Sequence, residues 1–308
     1  MSTDSHSGFP ITNEGLSPQA AASFSSTAQP LPDPDNPPWG FGGAFLVWLT
    51  SVLLILFLPL VFLIPYSIHR GLNPQQPDYV RKLAEFAITD KAAIFLQVLS
   101  LLPTHILTFA MVWMLVTRFG KLPFRSALGW GWPKGLPNGL GLLISVLLAF
   151  VLFGLANLIG KLLGADQPTQ LEQLINSSLA ARYTIAVLAV LSAPFVEEFV
   201  YRGVLYGALH KLIGPVWASV AVLGLFTFIH VPQYWPNIGV IGAIGVLSVA
   251  LTIIRAYTGR LLPCIVIHLV FNGITSIILL IEPYIKQSKP AKDQVAFILQ
   301  HVALPLIQ

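Results

Sequence analysis

Charge is what this chain has least of. Only 10% of its 308 residues are charged, against roughly 25% in a soluble domain, while 55% are hydrophobic and the mean hydropathy is +0.75. That balance excludes a soluble domain and indicates a polytopic membrane protein. Cysteine is nearly absent as well. Cys264 stands alone, which rules out an intramolecular disulfide and a cysteine-rich metal site and leaves the redox compartment open. The formal net charge of +4 comes from 17 basic residues that fall mostly in loops, where they serve orientation and lipid contact. No basic stretch interleaved with aromatics suggests nucleic acid. Residues 1–40 carry no Lys or Arg and are rich in Ser, Pro, Ala, Asp and Gln. They read as a disordered tail, without the basic and apolar regions of a signal peptide.

Long apolar runs are what the sequence does have. About 20 apolar residues cross a hydrocarbon core, and runs of spanning length occupy 41–65, 92–117, 136–163, a stretch from 182 through 191–210, then 216–231, 236–254 and 261–281. The expected fold class is all-α, a polytopic transmembrane helical bundle of about seven spans. Its expected parts are the tail 1–40, accessory helices and interfacial loops over 41–130, a core over 131–282 and a short basic tail over 283–308. Basic residues are shared almost evenly between alternate loops, so they assign no orientation. Among the loops, PDYVRKLAEFAI reads as an amphipathic helix lying at the interface. The segment TRFGKLPFRSALGWGWPKG, with four basic residues and two tryptophans, reads as an interfacial anchor. Thr169-Gln-Leu-Glu172 is a capping box that opens a short helix. The glycosylation sequon at Asn176 needs a secretory route that nothing else in the sequence supports.

The stretch 191–210, LSAPFVEEFVYRGVLYGALH, organises the rest. Glu197, Glu198 and Arg202 interrupt its apolar helix, and a charge at mid-bilayer depth costs at least about 2.5–3.5 kcal/mol on insertion scales. Function is the default explanation, and a structural buried network is the alternative. At 100° per residue Glu198 and Arg202 share a face, with the acid N-terminal, the better orientation for an ion pair. Glu197 points about 100° away, towards Pro194 and Tyr201, with no cation within a turn. A carboxylate without a counter-charge in a low-dielectric site favours its neutral form, the tuning that proton transfer requires.

The remaining strongly polar groups at membrane depth are few. His105, beside Pro103 and Thr104, reads as a packing residue or proline-kink neighbour. His230 closes the fifth span. His268 and Asn272, four apart, share a face of the last span, with Cys264 one turn earlier. Gly239, Gly242 and Gly245 read as packing positions. Convergence of Glu197, Glu198, Arg202, His230, His268 and Asn272 on one cavity is the economical hypothesis. Such a set suffices to hydrolyse an amide with an activated water, the carboxylate or an imidazole taking the proton while the amide and the other imidazole hold the oxyanion.

Glu197-Glu198-Phe-Val-Tyr-Arg202, Phe226-Thr-Phe-Ile-His230 and His268-Leu-Val-Phe-Asn272 together resemble the EExxxR, FxxxH and HxxxN motifs of the CAAX-protease and bacteriocin-processing (CPBP, or Abi) family of intramembrane proteases. The resemblance covers roughly residues 130–282. It implies a glutamate-dependent endopeptidase within a helical membrane bundle, so that 131–282 would be the protease core. By motif position Glu197 is the general base that activates water with His230, Glu198 pairs with Arg202 to hold the helix, and His268 with Asn272 binds the oxyanion. The implied partners are membrane lipid and a protein or peptide substrate, lipidated or membrane-embedded, and the implied location is an integral one, the cell membrane in a bacterium.

Three other readings stay open at this point. Glu197, His230 and His268 could ligate zinc in a His₂Glu manner with water in the fourth position, although no HExxH helix is present. Cys264 near His268 invites a thiol-protease reading, against which buried cysteine is ordinarily a small hydrophobe. A non-catalytic scaffold, immunity protein or transporter would use the polar cluster to bind an ion or brace the bundle, but no internal repeat of the transporter kind is evident.

Overall fold

In a computed structural model, residues 32–165 and 167–288 are described, with side chains to 284. The expected tail is outside the described residues up to 31, and the expected basic tail is outside them beyond 288.

The described chain is helical and apolar on its outside. Its elements are α1 (Phe41–His69), α2 (Tyr79–Thr89), α3 (Lys91–Leu99), α4 (Leu101–Thr117), α5 (Phe124–Ala127), α6 (Asn138–Leu163), α7 (Gln170–Ser177), α8 (Leu179–Leu191) and α9 (Ala193–Glu198). A π-helical segment, Phe199–Leu205, follows, and then α10 (Tyr206–Tyr234), α11 (Ile238–Thr258) and α12 (Leu262–Ser288). Six stretches are long and apolar enough to cross a membrane: α1, α3 with α4, α6, Ala193–Tyr234, α11 and Leu262–Tyr284. The shorter apolar α8 accompanies them. The all-α bundle of about seven spans therefore holds. Leu46, Val61, Leu147 and Val151 are all more than half exposed, the outward apolar face expected where lipid is the solvent.

The fourth expected span is not one helix. Ser192, at φ −123° and ψ −43°, separates α8 from α9. Pro194 follows in the first turn of α9, where its missing N–H and fixed φ suit a helix start but not an interior. The next break is Gly214, at φ 80° and ψ 169°, a conformation open to glycine alone. It divides Ala193–Tyr234 into the two limbs that the sequence reads as the fourth and fifth spans.

Small residues set how closely the core helices approach. α6 buries Gly141, Ser145, Ala149, Ala156 and Gly160 and packs on α11 and α12. A Cβ on Gly239 would lie 2.6 Å from the Gly160 carbonyl, and one on Gly242 would lie 2.8 Å from Leu163. Those glycines are packing positions, as the sequence suggests. The N-cap of the expected capping box forms too, Thr169 Oγ1 accepting the Glu172 N–H at 3.1 Å. α2 buries none of its residues and exposes Val80 and Ile88, as an interfacial helix does.

The end of the expected tail is folded. Residues 32–40 precede α1 as a strap that turns at 33–36, where the Asn36 N–H bonds the Asp33 carbonyl, and Trp39 is only 5% exposed. Gly207 makes room for it, because a Cβ there would sit 2.7 Å from the Pro34 carbonyl.

Candidate active site

The site is built on α9 and the π segment. Glu198 is fully buried and its Oε1 accepts from Arg202 Nη1 at 3.1 Å, the ion pair that the i, i+4 spacing implies. The same Oε1 also accepts from His268 Nδ1 at 2.9 Å, which the sequence does not reveal. Arg202 is held in turn by α11: Nη2 donates to Ser248 Oγ at 2.9 Å and to the Ser248 carbonyl, and Nε reaches Thr252 Oγ1 at 3.4 Å. Its guanidinium lies over the Phe226 ring, 4.4 Å from the centroid, adding a cation–π contact. Every charge in this row has a partner of opposite sign or a directed hydrogen bond, the condition under which buried charge is tolerated.

Glu197 occupies a different environment. Its side chain is 24% exposed, and its closest charged neighbour is His268, with Nε2 to Oε2 at 3.7 Å. His268 thus stands between the two glutamates, hydrogen-bonded to Glu198 and facing Glu197. Glu198 Oε2 is buried with no hydrogen-bond partner, an acceptor left open beside the site.

His230 comes from the end of α10, its ring packed on Phe226 at 4.7 Å between centroids. Its Nδ1 is 2.7 Å from the Phe226 carbonyl. A carbonyl can only accept, so Nδ1 carries the hydrogen and Nε2 is left as the free acceptor. Asn272 Nδ2 donates to the Ala189 carbonyl of α8 at 2.9 Å, tying α12 to α8 and leaving its second amide hydrogen available. Among the described residues no three His, Cys, Asp or Glu side chains are gathered as a metal site, and Glu197, His230 and His268 are not brought together as one. Cys264 is buried, its Sγ donating to the Leu251 carbonyl at 3.3 Å, as a packing thiol does.

Several side chains of the site carry no motif. His105 lies within electrostatic range of Glu197 and its Nδ1 meets Ser192 Oγ at 2.8 Å. Ser192 Oγ in turn lies 3.1 Å from the Leu188 carbonyl. Since that hydroxyl donates to the carbonyl, it accepts from His105, whose Nε2 stays free. The pair lines an apolar groove of about 490 Å³ together with Phe109, Trp130, Phe195 and Val196. Tyr201, one turn beyond Glu197, accepts from Trp48 Nε1 of α1 at 3.0 Å. A signal did exist for the α11 partners of Arg202, since Ser248, Thr252 and Arg255 recur at i, i+4 and i+7 on one face of an apolar span.

The family comparison agrees with the motifs. Residues 178–274 match a family model described as Rce1-like: Type II CAAX prenyl endopeptidase Rce1-like. The matched segment runs from the start of α8 into α12 and contains Glu197, Glu198, Arg202, His230, His268 and Asn272. No curated protein and no solved structure matches the chain. The resemblance to the CPBP family holds over this segment, and with the six apolar stretches the chain is a multi-pass membrane protein with a segment similar to CAAX-type intramembrane endopeptidases.

Proposed function

We propose that the protein hydrolyses a peptide bond of a membrane-associated protein or peptide, with water activated by Glu197. The observation that carries this reading is the row Arg202, Glu198, His268, Glu197, linked at 3.1, 2.9 and 3.7 Å. His268 joins the two carboxylates, its Nδ1 on Glu198 and its Nε2 facing Glu197. Glu198 is the fixed member, held by Arg202 and unable to turn. It orients His268, as a carboxylate orients the imidazole of a hydrolytic triad.

Glu197, partly exposed and free of a fixed cation, accepts a proton as water attacks the scissile carbonyl, with the free Nε2 of His230 assisting. Charge then develops on the carbonyl oxygen, where His268 and the second amide hydrogen of Asn272 serve as donors. The proton on Glu197 passes to the leaving amine as the C–N bond breaks. The matched family's description supports prenylated CAAX proteins as the substrate class. The apolar groove beside Val196 is compatible with a lipid chain.

The test compares protein termini in membranes carrying the wild-type chain with those carrying Glu197→Gln. A shortened terminus found only with the wild type supports the reading and names the substrate. Identical termini, together with no cleavage of a prenylated CAAX reporter by the wild type, would remove it.

A further inference from the structure

The π segment leaves a backbone group that the rest of the bundle must satisfy. Tyr206 N–H bonds to the Tyr201 carbonyl, one residue further back than α-helical spacing. The Arg202 carbonyl that this amide would serve in an α-helix is passed over. Arg255, fully buried on α11, fills the place by donating from Nε to the Arg202 carbonyl at 3.1 Å. Two carbonyls of this short segment are thus served from outside the helix, because Trp39 Nε1 donates to the Val204 carbonyl at 3.0 Å.

Arg255 is itself held by the strap before α1. Its Nη1 donates to Asp35 Oδ1 at 2.7 Å and its Nη2 to the Pro34 carbonyl at 3.1 Å, while its guanidinium lies 5.0 Å from the centroid of the Tyr206 ring. Further along, Lys211 Nζ donates to the Pro37 carbonyl at 3.3 Å and Arg118 Nη2 to the Pro38 carbonyl at 2.6 Å. His210 Nδ1 stands 3.6 Å from Asp35. The strap touches none of Glu197, Glu198, His268 or His230 in any hydrogen bond. Its closest links to the motif helix fall on the backbone of that helix, from Trp39 at Val204 and through Arg255 at Arg202.

We propose that Asp35, Trp39 and Arg255 are positioning residues for hydrolysis, and that the strap keeps the π segment in the register that seats Arg202, with its partner Glu198, against Ser248 and Thr252 of α11. An α-helical register in the same place would rotate Arg202 relative to Ser248 and Thr252 of α11, although the i, i+4 spacing would keep it beside Glu198. The Glu198–Arg202 pair would then lose its seat on α11, and His268, bonded to Glu198, its alignment. A segment outside the motif-bearing helices, and outside the family match at 178–274, thereby becomes part of what makes the site work.

This inference rests on the proposed hydrolysis only for its kinetic half. The structural half is read by hydrogen exchange on the full chain in lipid nanodiscs, which needs no substrate. Trp39→Phe keeps an aromatic ring and removes the donor to Val204. Asp35→Asn keeps the shape and removes the charge on Arg255. Both should speed amide exchange across 199–207 by about tenfold, the worth of one net hydrogen bond, while α6 and α12 exchange as in the wild type. On a prenylated CAAX reporter, both should lower kcat by about tenfold with KM within about twofold, since a misaimed constellation loses rate before it loses binding. Unchanged exchange over 199–207 would overturn the inference. So would faster exchange spread evenly over all helices, which marks general destabilisation. A wild type that cleaves nothing would refute the protease reading, and the exchange result would still decide the role of the strap.

Discussion

The two flanks of the segment 193–207 are held in different ways. On the flank of Glu197 and Glu198 the partners are side chains, His268 of α12 facing both glutamates and Arg202 pairing with Glu198. On the flank of Arg202 to Gly207, the Arg202 side chain is held by Ser248 and Thr252 of α11, and the backbone is gripped by the strap and by Arg255. Trp39 bonds the Val204 carbonyl, and Arg255 bonds the Arg202 and Pro34 carbonyls. In the proposed reaction the first flank supplies the reacting groups and the second fixes the helix that carries them. A site with so few charges in lipid depends on both, because a carboxylate or guanidinium turned a few degrees away from its partner becomes an unpaired buried charge.

Four substitutions sharpen that contrast. The largest effect belongs to the reacting flank: Glu197→Gln should lower cleavage by about 10²–10⁴-fold, the range of a lost general base, measured as initial rate in proteoliposomes. Next, Arg202→Met should destabilise the bundle by about 3–5 kcal/mol, because it leaves Glu198 buried without its cation. Chemical unfolding in mixed micelles reads that loss, and activity should fall in parallel. His105→Leu removes one of the polar members of the groove and its bond to Ser192. It should raise KM several-fold more than it lowers kcat, which a substrate titration separates.

The smallest effect lies at the interface, far from the site. Lys82 donates to Asp78 at the start of α2, and with Arg81 it holds that carboxyl below its ordinary value of 3.8. A depressed folded value means that the contribution to α2 is complete above pH 3.8 and is lost as pH falls through the folded value. A spin label at Val80 should therefore become more mobile only in strong acid, and Asp78→Asn should abolish that dependence.

The sequence shows the first flank well and the second hardly at all, for a physical reason. A charge in an apolar run is conspicuous, so Glu197, Glu198, Arg202, His230, His268 and Asn272 can be picked out and the bundle's spans counted from hydropathy. The pairing of Glu198 with Arg202 follows from spacing. The bond from His268 to Glu198 does not, since it depends on how α12 packs. Backbone acceptors leave no mark on residue identity, so nothing in PLPDPDNPPWG announces that Trp39 and Asp35 are anchored to the π segment. Its composition reads as a tail, and residues 32–40 nevertheless fold onto the bundle. The break at Ser192 had a visible cue in Pro194. The π register had none, because it adds one residue to a turn without changing the apolar pattern.

The division of labour between the adjacent glutamates is tested most directly by one preparation of Glu197→Gln in proteoliposomes, assayed for cleavage of a prenylated CAAX reporter and for Tm in the same sample. The predicted result is no cleavage with a Tm equal to that of the wild type, because the partly exposed Glu197 reacts but does not brace the fold. Retained cleavage, or a Tm lowered as far as that of Arg202→Met, would contradict it.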